Sequence, residues 1–292
     1  MSEPRGNGPW RLGPRSGEPW GSELTSVRSP RVKAARQLAK RALRLRARSF
    51  LAEGPQAVRE ALAAGVVSQL FVTAAGRSRH PDLADQAERS GADVIAVSGE
   101  LMGELAQTIT PQGVLAVCGF IDVPLADLLG AVPRLVIVLA NVRDPGNAGT
   151  VLRTADAAGA DGVIFAGASV DLYNSKCVRA SAGSMFHLPL VAGPRVDETV
   201  AGLRAAGLRV LAADGRASAS LDDAEASGLL GQPTAWLFGN EAWGLPADLL
   251  ALADEPMAVP IYGRAESLNL AAAAAVCLYA SARALRAPQR PA

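Results

Sequence analysis

Asn141, Asp144, Asn147 and Arg153 stand close together in the stretch "NVRDPGNAGTVLRTADAAGADGVIF", directly after the apolar run "LVIVLA". Side-chain amides, a carboxylate and a guanidinium fork are groups that can hold a polar or anionic ligand. Part of the stretch needs no such role. Asn147 suits a helix N-cap, Pro145-Gly146 a turn, and Gly159 the residue that ends the helix. Val151, Leu152, Ala155 and Ala158 form one apolar stripe, leaving Arg153 and Asp156 off it. An i,i+3 ion pair would account for both on structural grounds. Asn141, Asp144 and Arg153 are not explained by helix chemistry otherwise.

Two later stretches concentrate similar chemistry. In "WLFGNEAWGLPADLL" an apolar strand ends at Gly239, so Asn240 and Glu241 fall at its carboxyl edge, where α/β sheets bind ligands. Gly239 would let a ligand approach the backbone, although a plain loop punctuated by Gly244 and Pro246 fits too. In "VPIYGRAESLNLAAAAAVCLYASARAL" Ser267 can cap the long helix, with Leu268 and Asn269 in its first turn. That helix is apolar nearly all round, which predicts burial between the sheet and something else, such as a second subunit. Cys118, Cys177 and Cys277 lack C-x-x-C spacing, His80 sits by Pro81 in a loop, and His187 lies beside a strand. Neither a metal site nor a nucleophile–histidine pair is expected.

These groups need a scaffold. Residues 1–27 are rich in breakers and lack periodicity, which predicts a disordered tail; 288–292 form a short second tail. "SPRVKAARQLAKRALRLRARSF" reads as one basic helix with Ser29 as cap and Pro30 at its first position. Val32, Ala35, Leu38, Ala42 and Leu45 would pack, leaving Arg36, Arg41, Arg44 and Arg48 facing phosphates. Short strands and helices then alternate to residue 120, and Pro124 and Pro133 punctuate a linker over 121–133. A second series over 134–287 has strands that are continuous Val/Ile/Leu/Ala runs, as in a parallel sheet covered on both faces. Residues 1–50 carry twelve Lys and Arg against three acidic residues, while the remainder carries 17 against 25. A basic arm on an acidic body predicts a polyanionic partner, most simply nucleic acid. No apolar run is long enough to span a membrane, and the first residues lack a signal-peptide core, so a soluble cytoplasmic protein is expected.

Taken in order, N-x-x-D-P-x-N-x-G-x-x-x-R-x-A, F-G-N-E-x-x-G-L and V-P-I-x-G-x-x-x-S-L-N resemble the three motifs of the SpoU (TrmH-type) RNA 2′-O-ribose methyltransferases of the α/β-knot (SPOUT) superfamily. "KCVRASAGSMFHLP" between the first two is also similar to that family's pattern. "FLAEGPQAVREALAAG" after the basic helix resembles the family's small, ribosomal-protein-like substrate-binding domain. The resemblance spans about residues 28–287. It implies an α/β fold in which a trefoil-knotted methyltransferase domain with a parallel sheet follows a small α/β RNA-binding domain.

The resemblance also implies roles. S-adenosylmethionine would lie against Phe238, Gly239, Val259, Ile261 and Leu268, with Asp214 closing the pocket. No G-x-G-x-x-G follows any strand, which speaks against a Rossmann-type site. Arg153 would bind an RNA phosphate and stabilise the ribose oxygen, held with the ribose by Asn141, Glu241, Ser267 and Asn269. Lys176 and Arg179 would contact RNA, ribosomal RNA in the first instance, and the last helix would make a homodimer. Alternatives are tRNA as substrate, a thiostrepton-type resistance methylation, and an RNA-binding assembly factor without catalysis.

Overall fold

The computed structural model describes residues 23–287, so the expected tails at 1–22 and 288–292 lie outside the described residues. Within 23–27 the expected disorder is not found. Leu24 donates its amide to Ala96 (2.9 Å) and accepts from the Ser98 amide (3.1 Å).

The N-terminal unit runs α1 (Pro30–Gln37), α2 (Arg41–Ala47), β1 (Ser49–Glu53), α3 (Pro55–Ala63), β2 (Val67–Val72), α4 (Ala74–Arg79), α5 (Pro81–Arg89), β3 (Asp93–Ala96), α6 (Gly99–Leu105) and β4 (Val114–Gly119). Its sheet has the order β1-β4-β2-β3, with β4 antiparallel to both neighbours and β2 parallel to β3.

The expected single basic helix is two helices. The first stops at Leu38, and the Arg44 guanidinium donates to the Leu38 (2.8 Å) and Ala39 (2.9 Å) carbonyls, satisfying groups that a helix end leaves unbonded. The break shifts the phase of everything after it. Val32, Ala35 and Leu38 are buried as expected, but Ala42 and Leu45 are exposed and Arg44 is buried instead.

Next come α7 (Leu125–Gly130), β5 (Leu135–Ala140), α8 (Pro145–Ala158), β6 (Gly162–Ala166), α9 (Ser175–Ala180), β7 (Leu190–Ala192), α10 (Val196–Ala205), β8 (Arg209–Ala213), α11 (Leu221–Ala226), β9 (Thr234–Phe238), α12 (Ala247–Leu250), β10 (Glu255–Met257) and α13 (Leu270–Arg286). The six strands form one parallel sheet of order β10-β8-β9-β5-β6-β7. All six residues of β5 are buried, each aliphatic side chain contributing roughly 1.5–3 kcal/mol on burial. Strand order reverses between β5 and β9, so the crevice for a ligand opens at their carboxyl ends. The segment expected as a linker contains α7, whose Leu128 is buried against the sheet, with Pro124 and Pro133 flanking the helix.

The two units share one apolar core. Phe50 of β1 packs on Tyr173 at 4.7 Å between ring centres, and Tyr173 stacks on Phe120 at 3.8 Å. The Tyr173 hydroxyl donates to Asp122 (2.5 Å) and accepts from the Ile121 and Asp122 amides. Burial, then the Asp122 carboxylate, pushes the phenol well above its usual range. α13 is not buried all round. Ala271, Ala274, Cys277, Leu278 and Ser281 pack inward, Ser281 accepting from the buried Trp236 indole (2.9 Å), while Val276 and Tyr279 face outward.

Candidate active site

β5 is followed by Asn141, which adopts φ 59°, a left-handed conformation that Asn tolerates better than most residues. Its side-chain oxygen accepts from the Ala168 amide (2.8 Å) and its carbonyl from the Asn240 side chain (3.0 Å). Asn141 therefore ties the ends of β5, β6 and β9 together. Asn240 pairs with Gly244 through two backbone bonds of 2.9 and 2.8 Å, closing a tight turn. Gly239 is needed for that turn, since a Cβ there would lie 2.4 Å from the Gly244 backbone. Its expected role as a place for close ligand approach thus has an internal structural counterpart.

The turn presents Glu241 to the start of α8. One carboxylate oxygen accepts from the Arg143 amide (3.1 Å), the other from the Asp144 amide (2.9 Å) and the Asn147 side chain (3.3 Å). Desolvation would raise this carboxyl. The backbone amides and Asn147 outweigh it and hold Glu241 below the usual carboxylate range. Asn147 in turn accepts from the Asn269 side chain at 3.1 Å. Glu241, Asn147 and Asn269, each from a different motif, are therefore one hydrogen-bonded chain. Gly149 permits α9 to lie directly against α8: a Cβ would come 2.4 Å from the Cys177 carbonyl.

Two expected caps are corrected here. Asp144, not Asn147, caps α8, accepting from the Asn147 amide at 2.7 Å. Asn269, not Ser267, caps α13, accepting from the Ala271 amide at 2.9 Å. The first could have been read from the sequence, because Pro145 at the first helical position makes the preceding Asp144 the cap. Freed from capping, the Asn147 side chain bridges Glu241 and Asn269. The Lys176 ammonium (2.8 Å) and the Asn147 amide hold the Asp144 carboxyl below its usual range.

Arg153 is exposed and forms no hydrogen bond or ion pair among the described residues. The structural account that paired it with Asp156 is wrong, because Asp156 bonds His187 at 2.8 Å. Asn141, Glu241 and Asn269 form no hydrogen bond with Arg153 among the described residues; their bonds organise the loops at the start of α8. Ser267 is exposed.

The residues expected to line the cofactor site lie at or after the carboxyl ends of β8, β9 and β10. Asp214 follows β8 and is engaged by Arg216 through its amide (3.0 Å) and guanidinium (3.2 Å). The Phe238 side chain points into the core beside Trp236, so only its backbone can face a ligand. Val259 packs on the core, whereas Ile261 and Leu268 are exposed. Among the described residues, no backbone amide or carbonyl from Val259 to Leu268 is hydrogen-bonded to the rest of the chain. A loop of unspent donors and acceptors, interleaved with Ile261 and Leu268, fits a nucleoside-bearing, partly apolar cofactor held by backbone groups.

Of the six expected RNA-contacting cations, five already have partners. Arg44 is only 5 % exposed and pairs with Asp171 at 2.6 Å, so it does not face RNA. Arg36 meets Glu104 (3.0 Å), Arg179 meets Glu53 (3.6 Å) and Lys176 meets Asp144. Arg48 lies over the Phe120 ring at 4.6 Å and within 3.5 Å of Asp122. Arg41 is exposed and unpaired among the described residues. The sequence reading also missed Trp243, which is 55 % exposed on the 240–244 turn with the Arg143 guanidinium 5.9 Å from its ring.

Residues 134–279 match the SpoU rRNA Methylase family, and residues 29–116 match the MRM3-like substrate binding domain. The 23S rRNA (guanosine(2553)-2′-O)-methyltransferase RlmP of Bacillus subtilis is 34% identical over 259 residues, covering 88% of this chain and 98% of its own. A 23S rRNA (uridine(2479)-2′-O)-methyltransferase of Streptomyces viridochromogenes is 37% identical over 199 residues, covering 65% of this chain and 67% of its own. Among solved structures, an AdoMet-bound rRNA methyltransferase from Sinorhizobium meliloti is similar, with a TM-score of 0.76 and 33% identity over 89% of this chain and 97% of that one. Motifs, fold and relatives agree: this chain belongs to the SpoU rRNA methylase family.

Proposed function

We propose that the protein transfers a methyl group from S-adenosylmethionine to a ribose 2′-hydroxyl of RNA, 23S ribosomal RNA being the substrate. The observation that carries this is the Glu241–Asn147–Asn269 chain, which locks three separate motifs to the start of the helix bearing Arg153, unpaired among the described residues. When bound, the cofactor supplies an electrophilic methyl group. The backbone of 239–241 and 259–268 holds it, with Ile261 and Leu268 covering its apolar parts.

Arg153 binds the phosphate beside the target ribose and stabilises negative charge growing on the 2′-oxygen. A guanidinium offers donors and no acceptor, so it is not the base; a phosphate oxygen takes the hydroxyl proton. Asn269 and Ser267 orient the ribose from the start of α13, and positioning supplies much of the acceleration. Trp243 and Arg143 offer an exposed face on which an RNA base can stack. We further read the course of residues 239–268 as the family's knot and residues 28–120 as the unit that recruits RNA. The outward stripe of α13 with Val276 and Tyr279 is read as the homodimer face, and the cytoplasm as the place of action.

The test is tritiated-methyl transfer from S-adenosylmethionine to total RNA, followed by nucleoside mass spectrometry. Label in a 2′-O-methylnucleoside of 23S RNA is expected. Label on a base sinks the reaction, label in tRNA changes the substrate, and RNA binding without transfer makes the protein an assembly factor. Sedimentation should give a dimer that Tyr279→Asp dissociates.

A further inference from the structure

Asp156 lies one helical turn beyond Arg153, in the i,i+3 relation where a guanidinium and a carboxylate ordinarily meet. They do not meet here. Asp156 Oδ2 lies 2.8 Å from His187 Nδ1, and His187 Nε2 lies 3.2 Å from Glu60 Oε2. Glu60 belongs to α3, so one imidazole bridges the helix that bears Arg153 and the unit built on the four-stranded sheet. Glu60 is itself held. Its other oxygen accepts from the Gln56 side chain at 2.8 Å, and its stem packs on Gly183, where a Cβ would come 2.6 Å from Glu60 Cγ.

A ring with a carboxylate at each nitrogen uses two donors, which only imidazolium supplies. The bonds to Asp156 and then Glu60 accordingly raise the His187 pKa, and desolvation opposes them. Among the described residues, no cation on the surrounding elements besides Arg153 is free to take over Asp156. Arg59 of α3 is on Asp82 (2.9 Å), Arg179 of α9 is on Glu53, and Arg286 of α13 donates to the Ala158 and Ala282 carbonyls. If the imidazole is lost, Arg153 is the cation one turn away on the same helix.

We propose that His187 is a positioning residue: anchored by Glu60, it occupies Asp156 and thereby keeps Arg153 free for the RNA phosphate and the ribose oxygen. The inference rests on the catalytic reading of Arg153. It also gives the N-terminal unit a part in the reaction, since the docked α3 supplies the carboxylate that holds the imidazole in place.

The experiment compares the full-length wild type with His187→Ala, His187→Ala/Asp156→Asn and Arg153→Ala, using a 23S RNA transcript and tritiated S-adenosylmethionine. His187→Ala should lower kcat about two- to fivefold, the reach of a competing surface ion pair, with cofactor affinity unchanged. Removing the competing carboxylate in the double variant should restore the wild-type kcat. Filter binding gives a second readout that needs no turnover. The slope of log affinity against log salt should fall by about 0.7–0.9 in Arg153→Ala, the loss of one phosphate contact. It should fall partly in His187→Ala and recover in the double variant.

A wild-type kcat in His187→Ala overturns the proposal. So does a double variant as slow as the single one, which would mean that the imidazole only packs the units together. If thermal melting shows that His187→Ala does not fold, His187→Gln, with and without Asp156→Asn, is read in the same way. Full activity in Arg153→Ala would remove the catalytic reading of Arg153 and this inference with it. Loss in Arg153→Ala without loss in His187→Ala removes the inference alone.

Discussion

Arg44 and Arg153 are both arginines on helices, and both were expected to face RNA, yet the structure treats them in opposite ways. Arg44 turns inward, bonds two carbonyls at the end of α1 and pairs with Asp171 from the other unit. Arg153 stays outside with its natural partner, Asp156, already taken by His187. A guanidinium has the same five donors in either place. Its role depends on which acceptors the fold brings within reach. At α2 the chain supplies three acceptors and the arginine becomes structural; at α8 it withholds one and leaves the arginine available.

This contrast can be broken from either side. Arg44→Ala strands the Asp171 carboxylate in a site sheltered from water and uncaps α1, and should cost about 3–5 kcal/mol of stability, read as a drop in the urea midpoint. If stability is unchanged, Arg44 belongs with the surface cations after all. Arg153→Ala should leave stability alone and lower kcat by about 10²–10³, the cost of deleting one oxyanion-stabilising donor. A stable, active variant would dissolve the distinction. Asn147→Ala cuts the link between Glu241 and Asn269 and should lower kcat about tenfold, as expected for two lost hydrogen bonds of about 0.5–1.5 kcal/mol each.

Effects of pH sharpen the comparison further. His187 has a raised pKa in the folded state, so its hold between α3 and α8 is complete below about pH 6.5 and fades as pH climbs through the folded value. Asp144 and Glu241 have lowered values, so their contribution is present above about pH 4–5 and fades as pH falls through the folded values. Melting temperature against pH should therefore decline on both sides, and His187→Ala should remove only the alkaline decline. The smallest effect is expected at Arg41. Arg41→Ala should flatten the salt dependence of RNA binding by about one unit of slope and leave kcat untouched; an unchanged slope would assign that arginine to solvation.

Much of the scaffold was legible because it rests on local patterns. Apolar runs such as "LVIVLA" and "GVIFA" became fully buried parallel strands, and Gly159 ended α8 in the left-handed conformation. The errors arose where one residue had two possible uses. Asn147 could cap a helix or bridge motifs, and Pro145 decided it by making Asp144 the cap. The basic helix looked amphipathic over its whole length until a break at Leu38 changed the phase, and no periodicity rule senses a capping arginine six residues away. His187 was read as a lone histidine beside a strand. Its two carboxylates lie 31 and 127 residues distant in the chain, beyond any local signal.

Composition and periodicity settled the parallel sheet and the charge asymmetry, and three ordered motifs settled the family, because each rests on residue type and short-range spacing. Which polar groups meet was decided by the fold alone. The Glu241–Asn147–Asn269 chain joins positions 94 and 122 residues apart. The freedom of Arg153 depends on a histidine and a glutamate that come from other elements. Hydrogen bonds act over about 3 Å, and only a packed sheet with its helices brings such distant residues within that range.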